Sequence, residues 1–344
     1  MYEEVVEKIL KSLDESLIGA SYPKFSGDGY RAHRIDSKNF HEINKENSAK
    51  KIAFVDGGNA EIIGSANFSL NLIRVSYVVY QNNKKISSKK LEALAFIHSV
   101  NQDNEIYYRA SFFKTSKSLD IEDMSFSSLD YTLMLGANRA EISSVAQAIR
   151  KFAELRLAKV ISDGRLADIV VLDGNLQSTL TNENNYLNEL YESCSASNVI
   201  LSAISKTSSL FTDNGNLLSA VLGNASVLSS WIYHPVADIS NMNHKAEMFF
   251  VKLHPKSKYI FRFEIFNAQK EKAEETISAM AGNCIDPIFI GYPYGMVEAD
   301  RLARVSNWEK ESLKMVFLVK LKGKGIEKFL NAGNAHQILD RINF

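Results

Sequence analysis

Along residues 1–13, Val5, Val6, Ile9, Leu10 and Leu13 recur at three- and four-residue intervals, which predicts an amphipathic helix. Such a helix either packs its apolar stripe on the main body or offers it to another subunit. Residues 20–50 are polar and mixed and read as connecting structure. From Lys51 the period changes. "IAFVDGG", "EIIGSANFSL" and "LIRVSYVVYQ" follow one another with tight Gly/Asn turns and predict a meander of three strands. Arg74, Ser76 and Tyr77, mixed with Val75, Val78 and Val79, give the third a polar face. "EIYYRASFFK", residues 105–114, adds a strand. A helix is expected over about 138–160, with Ile142, Val145, Ile149, Phe152, Ala153, Leu157 and Val160 as its apolar stripe.

"DIVVLDG" is a short unbroken apolar run of the kind buried in mid-sheet. "ENNYLNELYESCSA" then reads as helix and "NVILSAISK" as strand. Residues 205–245 are rich in Ser and Asn and carry loops. "KAEMFFVKLH" and "YIFRFEIF" predict a hairpin. A helix at about 270–281 leads into a strand, "PIFIGYPYG", then the helix "MVEADRLARV" and "LKMVFLVKL". No internal repeat or low-complexity linker divides the chain. The pattern favours one elaborated domain at 51–325, preceded by a helix and connecting segment at 1–50 and followed by a helical tail at 326–344. An antiparallel meander followed by helix-linked strands is an α/β arrangement with a mixed sheet, and the ribonuclease-H-like fold has this order.

The 344 residues, 45% of them apolar, provide material for a large core. Forty basic residues balance forty acidic ones, so no general basic coat exists. Any nucleic-acid binding must use a local basic groove. Cys194 and Cys284 lie far apart without CxxC spacing, which excludes a disulfide framework or zinc ribbon and fits a reducing cytoplasm. The start, "MYEEVVEKIL", is acidic and lacks a signal-peptide core. No apolar run approaches the roughly 20 residues of a membrane span. The expectation is a soluble cytoplasmic protein without a membrane partner.

Two apolar runs end in the same pair: Ile52–Val55 enters Asp56-Gly57-Gly58, and Ile169–Leu172 enters Asp173-Gly174. An aspartate at a strand end projects from a rigid base, and glycine after it admits a close ligand. On adjacent strands, Asp56 and Asp173 would repel unless a cation sat between them or one took up a proton. Oxygen ligands alone select hard ions such as Mg²⁺ or Mn²⁺. Two such ions about 3.5–4 Å apart suit phosphodiester cleavage. The plain alternative is that each Asp-Gly is a turn.

"IAFVDGG", "ADIVVLDGNLQ", "ISKTSS" and "GYPYGMVEADRLARV", in this order and at these distances, resemble the archaeal NurA nuclease family over roughly residues 50–325. The resemblance implies a ribonuclease-H-like core, a homodimer, Mn²⁺- or Mg²⁺-dependent degradation of DNA, single strands especially, and work with the hexameric HerA ATPase in resecting broken ends. It carries catalytic and metal-binding roles to Asp56, Asp173 and a glutamate on the preceding helix. Glu154, nineteen residues before Asp173, matches that glutamate, and Glu141 is the second choice. By helical period Glu154 lies off the apolar stripe, as a solvated residue would. Tyr292 matches the family's tyrosine near the site. Asp300 stands where many members carry histidine; it can ligate a hard metal but cannot act as a near-neutral acid or base. Gly58 stands where the family usually has serine. Lys206 sits near the site and can hold the scissile phosphate. Arg301 and Arg304 share a helix face suited to the DNA backbone or to ordinary solvated charge, and Asp300 can pair with Arg304.

Tyr107, Tyr108, Phe112 and Phe113 can stack on bases or fill core, and His234 reads as structural. Two rival functions remain. One is an inactive, DNA-guiding adaptor of the ATPase, which Gly58 and Asp300 favour and Asp56 and Asp173 oppose. The other is a sugar-kinase or actin-like ATPase, which would need a duplicated domain that the sequence lacks.

Overall fold

The computed structural model describes residues 1–16, 21–44, 48–114 and 121–325. Helix α1 (Tyr2–Ser16) and three short strands, β1 (Pro23–Lys24), β2 (Tyr30–Ala32) and β3 (Phe40–Glu42), come first. From Ile52 aromatic and β-branched residues build long antiparallel strands: β4 (Ile52–Ser65), β5 (Phe68–Gln81), β6 (Lys84–Gln102) and β7 (Glu105–Lys114), with a short β8 (Met124–Ser127). Asn82-Asn83 and Asp103-Asn104 turn two of these hairpins with positive φ, which Asn and Asp tolerate. Helix α2 (Ile142–Asp163) leads to β9 (Ile169–Asp173), and α3 (Glu183–Ser197) leads to β10 (Ile200–Ser205). Then follow β11 (Phe211–Thr212), α4 (Leu218–Ala225), β12 (Trp231–Tyr233), β13 (Ala237–Ile239), β14 (Ala246–Lys252), β15 (Phe261–Phe266), α5 (Ala273–Ala281), α6 (Tyr294–Ala303) and α7 (Asn307–Leu321).

Among the described residues one sheet holds eleven strands in the order β3-β12-β14-β15-β10-β9-β4-β5-β6-β7-β8. Its centre, β4-β9-β10, is parallel, and its other neighbours are antiparallel. This is the ribonuclease-H-like order, elaborated by the N-terminal strands and the late helices. Helices α2 and α3 cover one face, with Val145, Ile149, Phe152 and Leu190 packed on Val55, Val75 and Val170. Helices α5 and α6 cover the other, with Ile277, Met280, Met296 and Ala299 on Phe54, Val171 and Phe263. Gly295 lets α6 lie close: a Cβ there would stand 2.2 Å from the ring of Phe54. Cys194 and Cys284 are buried, and burial pushes both thiols up, Cys194 to about 11.

Several expectations are corrected. "IAFVDGG" and the residues after it form one strand, β4, and the chain turns at Ala66-Asn67 rather than at Asp56-Gly57. Strand β6 escaped the pattern because its first half, "KKISSKK", is polar and exposed. "PIFIGYPYG" is not a strand: Pro287–Phe289 forms a 3₁₀ turn that the Asp286 side chain caps. The Ser306/Glu309 capping box starts α7, which contains "LKMVFLVKL". Val5, Val6, Ile9 and Leu10 of α1 are exposed, so this stripe is not packed on the body. The expected tail at 326–344 lies outside the described residues. Among the described residues no helix is long and apolar enough to cross a membrane.

Candidate active site

Val55 of β4 and Leu172 of β9 are the last register partners of these parallel strands. The next residue on each is an aspartate, so Asp56 and Asp173 stand side by side on neighbouring strands. Asp173 ends β9, as expected, and Ile204 of β10 flanks it. Asp56 does not end its strand; β4 runs on to Ser65 against β5. The glycines after it serve close approach rather than a turn. A Cβ at Gly57 would lie 2.5 Å from Glu154 Oε1, and one at Gly58 would lie 2.4 Å from the carbonyl oxygen of Ala303. Gly57 thus makes room for a helix carboxylate, and Gly58 for the end of α6.

Glu154 is 4% exposed, against the solvated position its helical period suggested. The middle of α2 is buried all round: Phe152, Ala153, Glu154 and Leu155 are all covered. Arg150, one turn earlier, donates to Glu154 Oε1 and, at 3.2 Å, to the carbonyl of Gly57. Lys206, just beyond β10, donates to Asp173 Oδ2 at 2.8 Å and to Asp300 Oδ1 at 3.2 Å. Asp300 Oδ2 receives Arg304 at 3.3 Å. The pairing with Arg304 is therefore real, and Asp300 holds Lys206 as well. Arg301 and Arg304 are exposed; Arg301 pairs with Glu298 at 3.3 Å. Tyr292 is wholly buried, stacked on Phe289 at 4.9 Å, and its hydroxyl has no hydrogen-bond partner.

The charges here are only partly balanced. Burial pushes the Asp56 carboxyl up to about 7, and Glu154 and Asp173 push the same way; Lys206 and the Gly57 N–H oppose them. Burial also raises Glu154, against the pull of Arg150 and Lys151. Burial disfavours the charge of Lys206, but the hydrogen bond and charge of Asp173, with Asp56 and Asp300, outweigh it and hold the ammonium above its usual range. The Tyr292 phenol is raised by burial and then by Asp173, Asp56 and Asp300. All four groups therefore feel one another's charge.

Asp56, Glu154, Asp173, Lys206, Arg150 and Lys151 line one cleft of about 850 Å³. Glu141 lines it too, but at the N-cap of α2 and exposed. Glu154 is the helix residue that reaches the strand. Arg150 and Lys151 were not singled out from the sequence; the i, i+4 spacing of Arg150 to Glu154 was the available signal. Tyr108 is core, donating to the Ala140 carbonyl at 2.6 Å, and Phe112 packs on the same core. Phe113 lines a separate apolar groove with Phe68, Phe96 and Phe317. These aromatics do not line the acidic cleft. His234 stacks on Phe249 and meets Glu247 at 2.7 Å, a structural role.

The donor set consists of carboxylates around a buried, unpartnered phenol, with Asp56 held near neutrality by like charge. Such a set suits a hard divalent cation. Among the described residues, however, no three His, Cys, Asp or Glu side chains are already drawn together to hold an ion. Arg150 and Lys206 take up part of the negative charge instead.

A mixed sheet with an acidic cleft at its central parallel strands defines the class as an α/β protein of nuclease-like fold. Residues 50–305 match the NurA domain, and the chain belongs to the NurA family. The crystal structure of the NurA nuclease from Sulfolobus solfataricus is similar, at 16% identity and a TM-score of 0.56, covering 94% of this chain and 97% of that one. Endonuclease V from Ciona intestinalis, crystallised with DNA, aligns at 14% identity and a TM-score of 0.37 over 80% of this chain and 92% of that one. The catalytic domain of human endonuclease V aligns at 10% and 0.34 over 78% and 89%. No curated protein matches the chain.

Proposed function

We propose that the protein is a metal-dependent DNA nuclease that hydrolyses phosphodiester bonds, in single strands especially. The observation that carries this reading is the side-by-side register of Asp56 and Asp173, with Glu154 filling the space above Gly57. Asp56, Glu154 and Asp173, with Asp300 beside them, would hold Mn²⁺ or Mg²⁺, two ions in the full site. When bound, such ions lower the pKa of water and steady the leaving oxygen. Lys206 Nζ, shared between Asp173 and Asp300, is free to turn one proton towards a phosphate oxygen. Asp300 orients it, and the buried Tyr292 hydroxyl has a proton to donate into the same space. Arg301 and Arg304, exposed on α6 and at its end, suit the DNA backbone. Family membership supports further roles: a homodimer, cytoplasmic, acting with a HerA-type hexameric ATPase in resection of broken DNA ends.

The test uses end-labelled single-stranded DNA with Mn²⁺, Mg²⁺ or EDTA, for wild type and Asp56→Ala. Cleavage with metal that Asp56→Ala abolishes is the expected result. A specific observation favours a second reading, an adaptor without activity: the carboxylates are engaged by Arg150 and Lys206. DNA binding without cleavage in either metal would select it.

A further inference from the structure

A second groove starts where the acidic cleft ends. It shares Lys206 and Thr207 with that cleft and continues past α4 to the segment between β14 and β15, enclosing about 540 Å³. Its charged residues are Lys206, Lys252 and Lys258; no Asp or Glu lines it. In a chain of forty acidic and forty basic residues this is a local segregation of charge. Lys252 and Lys258 make no ion pair among the described residues, so their charge is unspent. Ser219 and Asn224 add polar groups. Tyr259 forms one wall and is 56% exposed. Its ring stands edge-on to Phe289 at 5.1 Å, and Phe289 stacks on Tyr292. An exposed ring is thus propped by a rigid aromatic row that begins beside the carboxylates.

We propose that this groove holds the single-stranded polynucleotide flanking the scissile phosphate, with Lys252 and Lys258 on its phosphates and a base on Tyr259. The inference rests on the nuclease reading above. It follows from a conflict of charge. The acidic cleft repels every phosphate except one neutralised at the reaction centre, so neighbouring phosphates need a carboxylate-free path leading away from it. Lysines that stand without acidic partners provide that path. An exposed aromatic face accepts any unpaired base. A duplex, whose bases are already stacked, has no use for it.

The test is binding of fluorescent oligothymidine strands of increasing length to the full chain in EDTA, where no cleavage occurs. Wild type, Lys252→Gln/Lys258→Gln and Tyr259→Ala are compared over a salt titration, with melting temperatures as the check on folding. The double lysine variant should bind on the order of tenfold more weakly at low salt, with a salt slope shallower by about one. Tyr259→Ala should weaken binding roughly fivefold or more, and Tyr259→Trp should restore it. The gain in affinity with strand length should shrink in both. An unchanged salt slope in the folded lysine variant, or Tyr259→Ala binding like wild type, overturns the assignment. Because binding is read without metal, its failure is separate from a failure of metal-dependent cleavage.

Discussion

A side chain at Gly58 and the carbonyl oxygen of Ala303 cannot share the space they have, since a Cβ would stand 2.4 Å from that oxygen. The serine usual at this position in relatives is therefore incompatible with how α6 ends here. Gly58→Ser should push the end of α6 outward and displace Asp300 and Arg304. A loss of stability of about 2 kcal/mol, with reduced cleavage, is expected from urea denaturation and the DNA assay. Unchanged stability would mean that α6 yields freely.

Asp300 holds Lys206 with one oxygen and Arg304 with the other. Asp300→Ala should cut cleavage by about 10²-fold, the usual scale of lost transition-state stabilisation, and blunt the response to a Mn²⁺ titration. Asp300→His should recover part of it. If Asp300 serves Arg304 alone, the alanine variant costs no more than about 0.5 kcal/mol and cleaves like wild type.

Asp56 takes up a proton more readily in the folded chain, its pKa rising from 3.8 to about 7. A raised carboxyl favours folding fully below its unfolded value and loses that contribution as pH rises through the folded one. In EDTA, wild type should therefore lose stability between about pH 4 and pH 7 relative to Asp56→Asn, by on the order of 1–3 kcal/mol. Mn²⁺ should raise the melting temperature of wild type and leave that of Asp56→Asn nearly unmoved. Parallel pH profiles for the two proteins would contradict this.

Glu264 has the opposite sign. Burial alone would raise it, but Arg262, His244 and the Leu176 N–H bring it down to about 2. Its stabilisation is present above the unfolded value and fades as pH falls towards 2. Glu264→Gln leaves Arg262 without its buried partner and should cost roughly 3 kcal/mol or more at neutral pH. Urea denaturation at neutral and acid pH should show the gap closing in acid.

The two Asp-Gly runs were legible because an uninterrupted Ile/Val/Leu stretch announces a buried strand, and the register of two parallel strands did the rest. The role of Gly57 and Gly58 was not. A turn and a close approach use the same residue, and only the far partners, Glu154 and Ala303, tell them apart. Helical period misjudged Glu154, because α2 touches the sheet, α3 and the cleft at once and so has no solvent face at its middle. "PIFIGYPYG" looked like a strand by composition, but its prolines and the Asp286 cap favour a tight turn. The basic groove was foreseen only as a necessity of neutral net charge; its residues come from three distant segments that no local pattern connects.

Both cysteines are buried and held in the thiol form. The folded surface among the described residues is therefore silent towards maleimides and other thiol reagents. A cysteine introduced at an exposed position, beside Lys258 for example, becomes the one reactive handle there, with no need to remove native residues first. The path of a DNA strand can then be followed by crosslinking or energy transfer in an otherwise unaltered protein.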